Sequence, residues 1–452
     1  MLSVHEALIE DKNTLAFATE YVPNTLSTML DKNLLTVLEL KIMFIEMIET
    51  LIFLHEDAKV IHSYINPDCV FVDEKGKIKL SSFCFAVSDP DKETVKPNFD
   101  LNSSESPNLN YLAPEAVLDK SLCYKSDVFS FGVLLAYLVK KIKGKSISLS
   151  NSNFDTYKKN LGNFSNYEDR FLNIIARDLD SNQEKLVRKM LEFNYDKRIS
   201  AKQIKQEAFF NDQVISALKF IESIETNDSN KNSLFFNQFN SILGKFEDKI
   251  IKKRILPKFL SILKLEAFLN NALPCIFTIS EKIGSAVNFE QDIWPSIRLL
   301  FKLKQMTAGS LLFLVNKTEY ISKNISKTEF SNHMLNLICK ALDSNLPKLQ
   351  KAVFEMLPTI TKNIESHEFK NHIYQRMITI LINTQHHEIR LIILNSMKTN
   401  YKLLDQTTIN ESFLSTLEKL RKLNNKTDIC LKLVEIYQEI SKSVSIEVRF
   451  FV

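Results

Sequence analysis

Glycine is scarce in this chain of 452 residues, which contains only seven, and the first of them is Gly76. Loops that bind nucleotide phosphates depend on glycine, because their backbone N–H groups must approach the phosphate closely. The segment before Gly76 therefore lacks the material for a glycine-rich phosphate loop. This absence bears on every nucleotide-dependent function considered below.

The cysteines are few and scattered, and none forms a Cys-x-x-Cys pair. They are Cys69, Cys84, Cys123, Cys275, Cys339 and Cys430. Such scatter gives no disulfide framework and is typical of reduced thiols in a cytoplasmic protein. The N-terminus, MLSVHEALIED, has neither the basic region nor the apolar core of a signal peptide. The longest apolar run, Val128–Val139, is too short to span a membrane, so we expect a soluble protein.

Net charge is also nearly absent, since 58 Lys and Arg residues face 54 Asp and Glu residues, a balance of +4. This balance gives no electrostatic footprint for nucleic acid. The hydrophobic share of 45% is that of a globular protein, and the length suits two or three domains.

The first half of the chain mixes strand and helix patterns. Residues Ser3–Ile9 and Thr14–Val22 predict a short strand pair, and Val37–Leu54 carries apolar residues at helical spacing. Two further strands, Val70–Val72 and Lys77–Leu80, flank a turn and predict a hairpin. We predict an α+β domain over residues 1–225.

The second half is helical almost throughout. Helices are predicted to begin, at intervals of roughly 40 residues, near Arg254, Asp292, Phe330, His372 and Phe413. This interval is the period of HEAT and armadillo repeats. We therefore predict an all-α solenoid of HEAT type over residues 226–452.

Several ordered motifs in residues 1–212 resemble those of protein kinases. The segment VIHSYINPDCVFV (60–72) resembles the catalytic loop, and LSSFCFA (80–86) resembles the metal-binding Asp-Phe-Gly segment behind its hairpin. Ala113-Pro114-Glu115, the helix that starts at Asp127 and the segment around Arg198 follow at the expected spacing. The resemblance implies a kinase-like fold with a helical large lobe.

The positions that would carry chemistry hold other residues. By this resemblance Tyr64 stands for the catalytic Asp, and Cys69 and Ser82 stand for the two magnesium ligands. Ser63, Asn66 and Cys84 replace the loop Arg, the loop Lys and the Gly of Asp-Phe-Gly. A phenol with a pKa near ~10 is no base at neutral pH, and magnesium prefers anionic oxygen ligands. We expect no catalytic residue, no metal site and no bound cofactor, and we doubt that ATP binds.

The framework residues, in contrast, are retained. The resemblance implies a buried ion pair between Glu115 and Arg198, an Asp127 that accepts hydrogen bonds from the catalytic-loop backbone, and a packing role for His62. Glu20, Tyr21 and Val22 resemble the hinge that holds adenine. Kinases carry the Gly-rich loop, the Lys strand and the Glu helix before the strand that Ser3–Ile9 resembles. The expectation is therefore an incomplete small lobe with at most a vestigial adenine site.

A degenerate kinase domain followed by HEAT repeats resembles the Scy-like (N-terminal kinase-like) pseudokinase family. The passages that carry the resemblance include LAFATEYV (15–22), NLNYLAPEAVL (108–118), SLFFNQFNSILGKF (233–246), RILPKFL (254–260) and KALDSNLPKLQKAVFEMLPTI (340–360). The spacing within 254–360 is similar to the branch linked with clathrin-coated vesicles. The resemblance implies a non-catalytic adaptor that binds clathrin or its adaptors and lies peripherally on Golgi, endosomal or coated-vesicle membranes.

Two other functions stay open at this level. One is an atypical serine/threonine kinase with residual ATP binding and weak activity. The other is a scaffold linked to nucleic acid, a role that HEAT arrays also serve, although the near-neutral charge does not favour it.

Three smaller features have competing interpretations. His386-His387-Glu388 could bind metal, but we favour a solvated turn because no Cys or Asp lies at ligand spacing. Trp294 is interpreted as a core residue rather than a ligand platform. The basic cluster of Lys249, Lys252, Lys253 and Arg254 is interpreted as a solvated helix face, although it could contact an anionic membrane or an acidic motif.

Overall fold

A computed structural model describes residues 2–5, 9–11, 14–32, 34–89, 92–101, 106–145, 154–161, 167–210, 212–284, 287–301, 306–423 and 426–442. Contacts divide the chain into two compact units. Unit 1 comprises Met1–Ile224 and Lys245–Ile255, and unit 2 comprises Glu225–Gly244 and Leu256–Val452. The predicted order, an α+β kinase-like domain followed by a helical solenoid, is confirmed. The boundary predicted at 225 differs in one respect, because residues 245–255 belong to unit 1.

The described strands of unit 1 form two small antiparallel sheets. Strands β1 (Ile9–Asp11) and β2 (Thr14–Ala16) make the first sheet. The second has the order β3 (Asn24–Thr25), β4 (Val70–Val72) and β5 (Ile78–Leu80). The predicted hairpin is therefore present. Of the first predicted strand, Ser3–Ile9, Val4 forms an isolated bridge with Thr19 and Ile9 begins β1, while residues 6–8 lie outside the described residues.

The helices of unit 1 surround these sheets. Helix α2 (Val37–Ile52), predicted from its periodicity, follows α1 (Leu26–Asp31) and begins at a capping box in which Thr36 and Glu39 exchange hydrogen bonds. The remaining α-helices are α3 (Pro114–Leu118), α4 (Tyr124–Ile142), α5 (Phe154–Leu161), Asn173–Ala176, Ser181–Met190, Ala201–Ile204, Gln213–Glu222 and Asp248–Ile250. Shorter 3₁₀ segments (Phe83–Phe85, Leu109–Tyr111, Ala208–Phe210) and π segments (Phe53–Asp57, Glu168–Leu172, Ile251–Ile255) complete the unit.

Helix α4 forms the centre of the unit 1 core. Its residues from Ser126 to Ala136 are all buried, and the Phe131 ring meets the Phe44 ring of α2 edge to face at 5.6 Å. Gly132 allows helix Ser181–Met190 to pack closely, because a Cβ at this position would lie 2.8 Å from the Cβ of Met190. Any larger residue at 132 would force the two helices apart.

Residues 245–255 join unit 1 through charged contacts. The Arg254 side chain is only 6% exposed, and its Nη1 lies 2.6 Å from Glu46 Oε1 on α2. The other terminal nitrogen of Arg254 donates to the carbonyl oxygen of Gly76 in the β4–β5 turn. Lys249 donates to the Glu39 carboxylate at 2.9 Å. Two members of the basic cluster are therefore committed to internal contacts, which corrects its interpretation as a uniformly solvated face.

Unit 2 begins with helix Ser229–Leu243 and continues as stacked helix pairs. The first helices of successive pairs comprise Leu256–Ile262, Phe289–Leu300, Lys327–Asp343, Ser366–Asn383 and Gln406–Leu423, and each of the last four contains a π segment (Phe289–Ile293, Phe330–Met334, Phe369–Tyr374, Ile409–Phe413). The second helices are Glu266–Lys282, Ala308–Asn316 with Thr318–Asn324, Pro347–Thr361, His387–Asn400 with the 3₁₀ turn Tyr401–Leu403, and Thr427–Ser441.

The period of roughly 40 residues is present, but the helices predicted near Asp292, Phe330, His372 and Phe413 begin earlier than expected. Asn288, Ser326 and Asp405 cap three of the starts, with side-chain oxygens that accept the backbone N–H group three residues beyond the cap. The apolar pattern alone placed each start in the next turn, because it could not weigh these caps. Hydrogen bonds between neighbouring helix pairs join residues that are about one repeat apart in the sequence. Lys340, for example, donates to the Phe301 carbonyl oxygen at 2.5 Å.

Two of the smaller features also have a defined place in unit 2. Trp294 is 1% exposed and its indole N–H donates to Glu329 at 2.8 Å, so it lies in the core as expected. The His386–Glu388 segment connects two repeat helices and its His386 and Glu388 side chains are exposed, as expected for a solvated turn. His387 pairs with Asp428 of the next helix pair, and Glu388 pairs with Lys351 of the preceding one.

Candidate functional site: the catalytic-loop region of unit 1

The loop that resembles a kinase catalytic loop is held in place by one buried carboxylate. Asp127, fully buried at the start of α4, accepts the backbone N–H groups of His62 and Ser63 at 2.8 Å each. It also contacts His55 Nε2 at 2.9 Å. Ser63 adopts a φ of 63°, a left-handed conformation that is unfavourable for a residue with a Cβ. The two bonds to Asp127 offset this cost and fix the direction of the loop.

His62 connects this loop to the segment that resembles Asp-Phe-Gly. Its Nε2 lies 2.9 Å from the carbonyl oxygen of Ser81, and its ring meets the Phe83 ring at 4.6 Å. Burial lowers the pKa of His62, which favours the neutral ring. His62 therefore acts as a packing and hydrogen-bonding residue, the role that the resemblance implied.

Tyr64 occupies the position of the catalytic base. Its ring is half-buried and packs against the Phe85 ring at 5.2 Å. Burial raises the pKa of the Tyr64 phenol, so the group is even less able to accept a proton than free tyrosine. The carboxylate within this loop, Asp68, is exposed, and its backbone N–H donates to the Asn66 side chain. No carboxylate stands at the base position itself.

The positions of the loop Lys and of one magnesium ligand hold groups that satisfy each other. Asn66 donates through Nδ2 to the Tyr64 carbonyl oxygen at 3.0 Å. The Cys69 thiol, 0% exposed, donates to the Asn66 carbonyl oxygen at 3.1 Å. Burial raises the pKa of Cys69 to about 12, so the sulfur stays protonated and cannot serve as a thiolate ligand. These side chains close the loop on itself.

The Asp-Phe-Gly counterpart is neutral as well. Ser82 has left-handed backbone angles (φ 63°, ψ 54°) at the start of the 3₁₀ turn Phe83–Phe85. Cys84, in the position of the Gly, is exposed. Magnesium would need oxygen anions here, and neither Ser82 nor Cys69 supplies one. The residues present therefore do not fit the metal that the fold implies, and no group of three His, Cys, Asp or Glu side chains that could hold a metal occurs among the described residues.

The hinge-like residues are engaged in backbone pairing. Glu20 accepts the Ser3 N–H at 2.8 Å and pairs with Lys79 at 3.1 Å. The hydrogen bond from Ser3 and then the Lys79 ammonium lower the pKa of Glu20. Tyr21 is 74% exposed and Val22 is partly exposed. The structure thus brings the catalytic-loop positions close to Ser82. The Tyr21 ring, in contrast, is exposed and does not line a pocket for adenine.

Glu115 and Arg198 meet at the base of the unit. Arg198 Nη1 lies 2.7 Å from Glu115 Oε1, and Nη2 lies 2.9 Å from Oε2, so the pair is bidentate. Both side chains are buried, and Ser126 donates a further hydrogen bond to Glu115 at 2.7 Å. Arg198 also donates to the backbone carbonyls of Lys125 and Glu192, both at 2.9 Å. The charges are therefore satisfied on all sides.

Sequence reasoning missed His55, the third partner of Asp127. The residue lies within LHED, directly after α2, and is 6% exposed. A histidine among apolar residues at a helix end was the available signal, but it does not identify a partner 72 positions away. Among the described residues, no helix is long and apolar enough to cross a membrane.

Comparison with known proteins supports the domain assignment. A protein kinase domain model matches residues 4–210. The chain is 25% identical to the protein kinase domain-containing protein ppk32 of Schizosaccharomyces pombe, over 97% of this chain and 60% of that protein. It is 25% identical to human SCY1-like protein 2, over 93% of this chain and 47% of that protein. It is 21% identical to the protein kinase-like protein SCY1 of Saccharomyces cerevisiae, over 99% of this chain and 59% of that protein.

The chain thus spans about half to three fifths of the length of these relatives. Each similarity runs through both the kinase-like unit and the helix pairs, rather than through the kinase domain alone. With this architecture, the homologues of the chain are SCY1-like proteins that carry a protein kinase domain, which supports the resemblance to the Scy-like family.

Proposed function

We propose that this chain is a catalytically inactive, kinase-like adaptor that binds coat or adaptor proteins, such as clathrin or its adaptors, in vesicle traffic between trans-Golgi and endosomal membranes. The observation that carries the inactive half of the proposal is the set of neutral groups at Tyr64, Cys69 and Ser82. Phosphoryl transfer depends on metal ions and positioned charge, and these positions offer a raised-pKa phenol, a protonated thiol and a hydroxyl.

The adaptor half is supported by the surface of unit 2. Exposed apolar side chains recur near the end of the first helix of a pair, either in its last turn or in the connection to the second helix. They are Leu265, Leu299, Leu346, Ile382 and Leu423, which are between 36% and 68% exposed. Stacked pairs carry corresponding turns along one edge of an array, so these residues form an apolar row. Such a row suits an extended partner segment.

Membrane attachment would then be indirect. The basic cluster has committed Lys249 and Arg254 to contacts with Glu39 and Glu46 within unit 1. This leaves less cationic surface for anionic lipid than the sequence implied. We propose that coat proteins, rather than lipid headgroups, bring the chain to Golgi and endosomal membranes.

The test of inactivity is nucleotide binding. We expect Mg-ATP to leave the thermal unfolding midpoint of the full chain unchanged, and we expect no phosphate transfer to a generic substrate protein. A ligand at a hundredfold excess over its Kd would add ~2.7 kcal/mol, which a melting assay detects easily. A magnesium-dependent shift that Ser82→Ala removes would contradict the proposal and support the alternative of an atypical kinase.

The test of the adaptor role is direct binding to purified clathrin and purified clathrin adaptor complexes. Leu265→Ser with Leu346→Ser removes two members of the apolar row and should weaken binding about tenfold, if each contributes on the order of 0.7 kcal/mol. Leu234→Ser with Val434→Ser removes two apolar residues elsewhere in unit 2 that are more exposed, at 63% and 52%, and should not weaken binding. Equal losses, or no binding by the unaltered chain, would contradict the proposed partner. Tyr64→Asp should leave binding unchanged.

A further inference from the structure

A cavity of about 210 Å³ lies within unit 1, apart from the catalytic-loop positions. Residues from four segments line it: the end of α2 and the turn after it, the loop that contains Glu93, the start of α4 with Cys123 before it, and the segment Tyr195–Ala201. The volume corresponds to roughly seven water molecules at ~30 Å³ each, or to one long side chain. Nothing in the kinase-like chemistry considered above uses it.

The walls of the cavity are apolar and aromatic. Ile52 and Val128 contribute aliphatic surface, and Tyr124 and Tyr195 contribute rings. Aromatic faces attract cations through the ring quadrupole, and a planar guanidinium stacks on them especially well. The walls alone would accept either an apolar or a cationic group.

The charged side chains that line the cavity favour a cationic group over an apolar one. Glu56, Glu93 and Asp196 all line it, and none of their carboxylates forms an ion pair with a described residue. The only cation among the lining residues that the structure describes is Lys125, whose ammonium donates to the backbone oxygen of Asp196 at 2.9 Å. The charge of Asp196 raises the pKa of the adjacent Tyr195 phenol, as expected where negative potential accumulates.

A buried histidine adds one more acceptor. His55 lines the cavity, is 6% exposed, and has its Nε2 2.9 Å from the Asp127 carboxylate. When the ring carries one proton and Nε2 donates it to that carboxylate, Nδ1 is an acceptor. Nδ1 has no hydrogen-bond partner among the described residues. Among the charged side chains around the cavity, carboxylates outnumber cations three to one; Lys125 is the cation, and the hydroxyls of Tyr124, Tyr195 and Ser200 can donate or accept.

We propose that this cavity binds an arginine side chain presented by a segment of a partner protein. The aliphatic stem would pack on Ile52 and Val128, and the guanidinium would lie between the tyrosine rings and donate to Glu56, Glu93 and His55. Arginine has five N–H donors and no acceptor, which complements a site rich in acceptors. Lysine offers three donors and no planar face, so it should bind more weakly. The cavity lies wholly in unit 1, so the proposal does not depend on coat binding by unit 2.

The position of the site gives it a path to the catalytic loop. His55 contacts Asp127, and Asp127 holds the backbone of His62 and Ser63 at 2.8 Å. An arginine that donates to His55 would therefore lie two side chains from the loop that resembles a catalytic loop. In this chain the kinase-like unit would act by binding a basic segment at a site separate from the nucleotide position.

The experiment uses ligand-detected NMR, saturation transfer from the full chain to N-acetyl-arginine amide, which suits weak binding. The matched probes are the citrulline derivative, which has the same shape without charge, and the lysine derivative. We expect the arginine probe to bind best, then lysine, with citrulline weakest. The test variant of the protein is Glu56→Gln with Glu93→Gln. The control variant is Glu74→Gln with Asp155→Asn, which removes the same charge from exposed positions outside the cavity.

The Glu56→Gln/Glu93→Gln chain should bind the arginine probe about tenfold more weakly, as expected for the loss of two partly exposed ion pairs. The control chain should bind as the unaltered protein does. Equal binding of citrulline would show that the cavity selects shape rather than charge and would overturn the proposal. So would an unchanged affinity in the Glu56→Gln/Glu93→Gln chain, or no saturation transfer to the arginine probe at all.

Discussion

Two regions of unit 1 differ sharply in how they treat charge. At the base, Glu115 and Arg198 are buried as a bidentate pair with every remaining hydrogen-bond site occupied. At the catalytic-loop positions, by the kinase resemblance, Tyr64 and Ser82 stand where kinases carry Asp and Cys69 stands for a neutral magnesium ligand; the Cys69 thiol donates to the loop's own backbone. The buried charges that remain are therefore those that hold the fold together. The difference supports the proposal that this kinase-like unit keeps its framework without phosphoryl transfer.

The strongest test of this comparison is Arg198→Ala. Removing the guanidinium leaves the Glu115 carboxylate buried without its partner, so the free energy of unfolding should fall by roughly 3–5 kcal/mol. Urea denaturation of the full chain measures it. The double variant Glu115→Leu/Arg198→Met should lose less than the two single losses added together. Additive losses, or a fall below ~1 kcal/mol for Arg198→Ala, would show that the pair is not the anchor described here.

A second test concerns Asp127, which links the base to the loop. Asp127→Asn keeps the size of the side chain but presents an N–H₂ group to at least one of its three donors, the backbone N–H groups of His62 and Ser63 and the His55 ring. The free energy of unfolding should therefore fall by roughly 2–3 kcal/mol. Asp68→Asn is the matched control, because Asp68 is an exposed carboxylate in the same loop and should cost under ~0.5 kcal/mol. Similar effects from both variants in denaturant unfolding would remove the distinction between framework and loop.

The third test uses pH at the Cys69 position. The pKa of this thiol is raised to about 12, above its value near 9 in the unfolded chain, so its contribution to stability is fully present below pH 9. It is lost as pH rises, by up to ~1.4 kcal/mol per pH unit, because only the unfolded thiol ionises there. Between pH 9 and 10, unfolding free energy should therefore fall more for the unaltered chain than for Cys69→Ala. Parallel curves would mean that the thiol is not buried as described.

The smallest expected effect comes from an exposed pair near the same base. Lys189 and Glu207 lie 2.7 Å apart with side chains 53% and 25% exposed. Lys189→Ala should cost under ~1 kcal/mol, and 1 M salt should abolish the difference, since exposed pairs are screened. A loss comparable to that of Arg198→Ala would mean that burial is not what separates the two pairs.

The sequence was sufficient for the order of the two folds and for placing the Tyr64, Cys69 and Ser82 positions together, because short motifs at fixed spacing specify local geometry. The Glu115–Arg198 contact could be expected for the same reason. The pairing of Arg254 with Glu46 could not, since 208 residues separate two charges that each look like solvated helix residues. The arginine cavity was equally hidden, because its acceptors come from segments that share no pattern along the chain.

The path of the chain between its units has a consequence for biosynthesis. The polypeptide leaves unit 1 after Ile224, contributes residues 225–244 to unit 2, and returns to unit 1 for residues 245–255 before leaving again. Because Arg254 supplies contacts to Glu46 and Gly76, unit 1 cannot be completed on the ribosome when residue 224 emerges. Domains usually fold in order as they are synthesised. Here the first helix of unit 2 must emerge, unpaired, before the kinase-like unit is closed, and a chaperone that shields Ser229–Leu243 would act at that moment.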